Sequence, residues 1–138
     1  MRSIKFLSHT ADVKIRLQAS SEEELLKAGM EAIHGLLLPD ACANFNTAEV
    51  TEEVHIQAPD KTALLVDFLS DVLSASHYEK AVFCDFEVKK WRENDLEAIL
   101  KGEKVDRFVE DIKAITYHEA EVIRDENGNW ESILIFDI

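Results

Sequence analysis

Proline occurs only twice and glycine four times in the 138 residues, too seldom for a collagen-like, linker-like or low-complexity chain. No segment repeats at a fixed period, which excludes a solenoid. Cysteine is as sparse. Cys42 and Cys84 stand far apart without CxxC spacing, which argues against a zinc site or a disulfide framework and predicts two buried free thiols. Long apolar runs are missing too: Ala32-Ile33-His34-Gly35-Leu36-Leu37-Leu38 is the longest charge-free apolar patch, far too short to span a bilayer. Met1-Arg2-Ser3-Ile4-Lys5-Phe6 lacks the hydrophobic region of a signal peptide. These absences predict a cytoplasmic protein with no membrane association.

Basic charge is the next scarcity. Fifteen Lys and Arg against 28 Asp and Glu leave a formal net charge of −13, and phosphate binding draws its affinity from clustered Lys and Arg. Direct nucleic-acid binding is therefore not expected, and any link to RNA or DNA should be indirect. Acidity favours cations or basic protein surfaces as partners, or serves solubility alone. Several catalytic signatures are also absent: no nucleophile elbow, no HExxH helix, no P-loop and no glycine-rich dinucleotide turn.

What is present is a globular composition with 46% hydrophobic residues. A chain of this length is expected to form a single domain over residues 1–138 and to bury roughly two thirds of the surface its unfolded form exposes. Val13, Ile15, Leu17 and Ala19 alternate with Lys14, Arg16 and Gln18, the period of a half-buried strand. Ser21-Glu22-Glu23-Glu24 reads as a capping box opening an amphipathic helix that Pro39 closes. Val50, Val54, Ile56 and Ala58 suggest a strand, and Asp60 caps a second helix carrying Leu64, Leu65, Phe68, Leu69, Val72 and Leu73 at helical spacing. Alternation then returns at Val82, Cys84, Phe86 and Val88, and a shorter strand ends before Gly102. The stretches 112–123 and 130–138 read as two strands joined across Asp125-Glu126-Asn127-Gly128-Asn129, where Asn-Gly is a strong hairpin signal. The order of elements predicts an α+β two-layer fold, two helices packed on one face of a mainly antiparallel or mixed sheet.

The chain ends on an apolar strand, Ile133-Leu134-Ile135-Phe136, followed by Asp137 and Ile138. The Asp137 side chain and the α-carboxylate of Ile138 would lie side by side there, and such anions repel and resist dehydration unless a cation or water compensates them. A hard divalent ion is one reading, and a frayed, solvated terminus is the other. Asp12, behind His9 and Thr10, stands where a loop enters the first alternating strand; Asx capping of that turn is the structural alternative. Lys113 and His118 bracket another strand, where a solvated lysine and a hydrogen-bonded histidine would be ordinary.

Taken together, His9-Thr10-Ala11-Asp12, Lys113-Ala114-Ile115-Thr116-Tyr117-His118 and Phe136-Asp137-Ile138 resemble the motifs of the archease family. Ala63-Leu64-Leu65-Val66-Asp67-Phe68-Leu69 and Trp130 are similar to it as well, so the resemblance spans the chain in order. It implies a protein that assists an RNA ligase of the tRNA-splicing type, promoting guanylylation of the ligase's active-site histidine and multiple turnover. It would not be an enzyme itself; its partner would be the ligase protein. The resemblance also implies a divalent metal, commonly calcium, with magnesium or manganese as alternatives. The implied ligands are Asp12, Asp137 and the terminal Ile138, with Lys113 as the functional lysine and His9, Thr10 and His118 beside the site. Oxygen-only donors suit calcium or magnesium. Lys14 stands where many members carry glycine, glycine is often found near Glu110 and Asp111, and Ser132 stands where arginine is frequent, changes expected to alter the surroundings of the site.

Two other functions compete. A metal-dependent hydrolase would need a base beside metal-bound water, a role open in principle to His9 or His118. A general chaperone or modulator of nucleic-acid-processing proteins would present an apolar patch. Strand register offers a test independent of family. A two-residue Asn127-Gly128 turn would set His118 opposite Asp137 and Lys113 on the other face; a bulge or an odd loop is expected instead, bringing Lys113 to the Asp137 side.

Overall fold

The computed structural model describes residues 1–9, 12–117 and 120–138, without the side chains of residues 7–9. The elements run β1 (Arg2–His9), β2 (Asp12–Ala19), α1 (Glu22–Leu37), β3 (Val50–Gln57), α2 (Lys61–Glu79), β4 (Ala81–Arg92), β5 (Asp95–Lys104), β6 (Ala114–Thr116), β7 (Ile123–Arg124) and β8 (Trp130–Asp137). The α+β class holds. Its strands form two antiparallel sheets: β1-β2-β8-β6, with β7 also pairing β8, and β3-β5-β4. The helices bridge them, α1 lying against β1, β2, β8 and β4, and α2 against β3, β4, β5 and β6. Because the helices touch both sheets, strands such as β2, β5 and β8 alternate between the helix layer and the outside. Val13, Ile15, Leu17 and Ala19 are fully buried on β2, as are Leu134 and Phe136 on β8.

Both helix starts follow from their caps. Ser21 Oγ accepts from the Glu24 amide at 3.1 Å, and Asp60 Oδ1 accepts from the Ala63 amide at 2.8 Å. Only half of the first capping box forms, because the Glu24 carboxylate is taken by the Arg2 guanidinium. Replacing Asp60 by alanine strips an orphan donor of α2 of its partner and is expected to cost about 1 kcal/mol, read as a lower urea midpoint with an unchanged slope.

Three local departures matter below. Gly102 does not end a strand; β5 continues through it to Lys104. The stretch 112–123 is not one strand but β6 and β7 with a break between them. The cysteines are not free thiols: Cys42 and Cys84 form a disulfide across a sequence separation of 42, with Cα atoms 5.6 Å apart. Their spacing could not show this, because a loop after α1 and a strand after α2 meet only in the fold. Among the described residues, no helix is long and apolar enough to cross a membrane.

Candidate functional site

Three strand ends converge around Asp137. β2 pairs β8 so that Asp12 faces Asp137 directly, with Val13 opposite Phe136. On the other side of β8, Ala114 faces Asp137 and Ile115 faces Phe136, while the Lys113 amide donates to the Asp137 carbonyl at 2.7 Å. Asp12 and Asp137 are exposed, each next to a fully buried residue, Val13 and Phe136. The core thus fixes which way the pair points: strand alternation turns both carboxylates to the face away from the helices. Directly opposed residues hold their Cβ atoms roughly 4.5–5.5 Å apart, and like charges so placed destabilise a sheet. Ile138 follows immediately and packs against the core, so the chain's last carboxylate is one residue from this pair.

Strand register decides which residue of this segment faces Asp137. Ile123 faces Glu131, whereas Thr116 faces Ile135. Six residues therefore fill the gap on one strand against three on the other, an odd slip that exchanges faces. Around Lys113 the burial sequence is Ile112 buried, Lys113 and Ala114 both exposed, Ile115 buried. Ala114 holds the position opposite Asp137; Lys113 precedes β6, exposed, with its amide on the Asp137 carbonyl. Because the slip of three and the five-residue loop are both odd they cancel, so the expected shift of Lys113 to the Asp137 side is not made by the register. The loop that starts this slip is not a two-residue turn. Asp125 Oδ1 accepts from the amides of Asn127 at 2.8 Å and Asn129 at 3.0 Å, Gly128 takes φ +81°, and Arg124 faces Trp130 across five loop residues. These amide bonds hold the Asp125 carboxyl below its usual range, with Gln18 and Arg124 adding to the effect.

A further anchor was not foreseen from the sequence. The Tyr117 hydroxyl donates to Asp67 on α2, which pushes the phenol up to about 12, and the Val122 amide donates to Thr62 Oγ1 at 3.0 Å. The segment after β6 is thus tied to α2 from both sides. Side-chain spacing gave no hint of it, since the partners are 50 and 60 residues apart.

The other expected residues fall as follows. His9 ends β1 opposite Val13. Thr10 and His118 lie outside the described residues. Lys14 stands on the same outward face as Asp12, two positions along β2 and opposite Ile135. Ser132 is a correction: it is not near the pair but fully buried opposite Leu17, five positions back along β8. An arginine at that inward position would have to enter the core.

Among the described residues, no three His, Cys, Asp or Glu side chains converge on one point. A cation here would therefore rest on the Asp12 and Asp137 carboxylates with the chain-terminal carboxylate as third donor. That set is all oxygen and anionic, which fits a hard divalent ion and leaves coordination positions for water or a partner.

Two antiparallel sheets bridged by two helices, with opposed aspartates at the last strand, define an α+β protein with an acidic strand end. The family model of the Archease protein family (MTH1598/TM1083) matches residues 5–138. The chain is 35% identical over 147 residues to Protein archease of Pyrococcus abyssi, covering 100% of both chains. It is 30% identical over 145 residues to that of Methanosarcina barkeri, covering 99% of this chain and 97% of the relative. In structure it resembles protein 1598 of Methanobacterium thermoautotrophicum, with TM-score 0.75, 23% identity and 98% of each chain covered. It also resembles a Thermotoga maritima protein described as an archease and possible chaperone, with TM-score 0.61, 20% identity and coverage of 97% of this chain and 96% of that one. The chain belongs to the Archease family.

Proposed function

We propose that this protein is a metal-binding accessory factor of an RNA ligase of the tRNA-splicing type, promoting guanylylation of the ligase and its multiple turnover without joining RNA itself. Family membership supports the accessory role, and the observation that carries the metal is the direct cross-strand opposition of Asp12 and Asp137 beside the chain end. Two exposed carboxylates held against each other by the buried Val13–Phe136 pair next to them are a standing electrostatic cost that a divalent cation removes. Calcium is the ion proposed, with Asp12, Asp137 and the Ile138 carboxylate as its protein ligands. Open coordination positions would meet the partner's phosphates or carboxylates. Lys113, whose amide donates to the Asp137 carbonyl, is the group offered to the ligase or its nucleotide.

A ligation assay with substrate in excess over ligase tests this reading. Adding the protein with calcium is expected to convert a single round of ligation into many and to raise the guanylylated fraction of the ligase. Lys113→Ala is expected to keep calcium binding but return turnover to the rate of the ligase alone, and Asp12→Ala to lose both. Unchanged turnover with saturating wild-type protein would refute the ligase role. Equal suppression of aggregation of unrelated proteins by wild type and Asp12→Ala would favour the general chaperone reading instead.

A further inference from the structure

One cavity among the described residues has neither aspartate of the pair in its lining. It has a volume of 690 Å³, within the roughly 300–1,000 Å³ of small-molecule sites. Its walls are Ile4 and Phe6 of β1, Gly35 of α1, Phe45 of the loop after α1, and both sulfur-bearing residues, Cys42 and Cys84. Both cysteines are half-buried and so reachable from solvent. Their placement is specific. β4 slips in register between Phe83 and Asp85, and Cys84 is the residue left without a partner on β5; a bulge of this kind re-aims a side chain. Among the described residues, the backbone around Cys42 is held by its own turns: Ala41 to Leu38, Ala43 to Asp40 and Phe45 to Cys42. Asp40 in that segment takes φ +66°. The next backbone bond to another element is from Glu49 to Gly102. The disulfide is therefore the covalent strap holding residues 39–48 over one side of the cavity.

We propose that Cys42–Cys84 is a thiol-exchange site whose co-substrate is a low-molecular-weight thiol admitted by this cavity, and that its reduction releases the 39–48 segment and opens the cavity. In the first step the thiolate of the small molecule attacks one Sγ; a new S–S bond forms, the Cys42–Cys84 bond breaks, and the other Sγ leaves with the electron pair and takes a proton from water. In the second step another thiolate attacks the small-molecule sulfur of the mixed disulfide, releasing the second cysteine as a thiolate that is likewise protonated. In sum the protein disulfide is reduced to two thiols and two small thiols are oxidised to their disulfide. The rest of the fold stays intact: among the described residues, what the segment packs against the core is the partly buried Ala41 and Cys42.

The test treats the oxidised full chain with reduced glutathione, and separately with 2-mercaptoethanol, without denaturant. Expected are two titratable thiols per chain, a transient mass gain of one small-molecule thiol, unchanged far-UV circular dichroism, and faster amide exchange confined to residues 39–48. The Cys84→Ser variant, which has no strap, is expected to show that same local exchange before any thiol is added. Thiols appearing only in denaturant, loss of the native spectrum on reduction, or exchange in Cys84→Ser no faster than in the oxidised protein would each overturn the proposal.

Discussion

In a chelating buffer the Asp137→Asn variant is expected to match the wild type in stability or exceed it by a few tenths of a kcal/mol, because it removes a like-charge pair lying directly across two strands. In calcium at about a hundred times its dissociation constant the order reverses. An ion that binds only the folded wild type adds about 2.7 kcal/mol, roughly 10 °C in melting temperature for a domain of this size, and the variant gains little of it. The reversal separates a site from diffuse screening of a chain with net charge −13. Asp106→Asn changes an exposed carboxylate in the β5–β6 connection that is not part of the pair, and is expected to keep the full calcium gain. A calcium effect equal in all three proteins would mean that the opposed aspartates hold nothing.

Gly102→Ala is expected to destabilise the protein by about 3 kcal/mol, the upper part of the usual range for overpacking, with a fall in melting temperature on the order of 10 °C. Gly102 lies in the central strand of the three-stranded sheet, opposite Val50 on one side and Phe83 on the other. A Cβ there would run into the Val82 carbonyl oxygen and would stand 2.9 Å from Phe83 Cδ1 and 3.0 Å from Phe83 Cα. Two of the three obstacles are backbone, so no rotamer change relieves them; β4 and β5 would have to separate. Gly35→Ala is the control. Its Cβ meets nothing within 4 Å, and alanine is the better helix former by about 1 kcal/mol, so that variant is expected to be more stable than the wild type.

The same glycine shows why parts of the fold were hidden in the sequence. A glycine in a strand signals either an end or a close approach of backbones, and only the bulge in β4 decides for the second. Where one face is buried and the other wet, as from Val13 to Ala19, the alternation was legible, and so were the helix starts at Ser21 and Asp60. β1 was not, because none of Arg2 to Phe6 is buried and an edge strand without a buried face leaves no period to read. The stretch 112–123 looked like one strand because Ile112 and Ile115 are both apolar; their spacing of three reflects the two outward residues between them. Asn127-Gly128 suggested a two-residue turn, and Asp125 overrode it by taking two loop amides on its own carboxylate.

The candidate site was legible in its parts. Asp12 and Asp137 stood out because each stands at the end of a strand with buried apolar positions. The odd shift expected to bring Lys113 round is not found, because the five-residue loop and the slip of three between β7 and β6 are both odd and together leave Ala114 opposite Asp137. Position in the sheet was a different matter. That Asp12 would stand directly opposite Asp137 depends on pairing between strands more than a hundred residues apart, and that Ser132 would face the core depends on the same register. The disulfide was missed for the equivalent reason. Sequence spacing carries no information on whether a loop after α1 lies 5.6 Å, Cα to Cα, from a bulge in β4.

A crystal structure of the protein grown with calcium tests the central claim most directly. One calcium ion is expected with carboxylate oxygens of Asp12, Asp137 and the Ile138 terminus within about 2.3–2.6 Å, its remaining positions filled by water. Calcium bound elsewhere, or the two aspartates turned apart with no ion between them at saturating concentration, would contradict it.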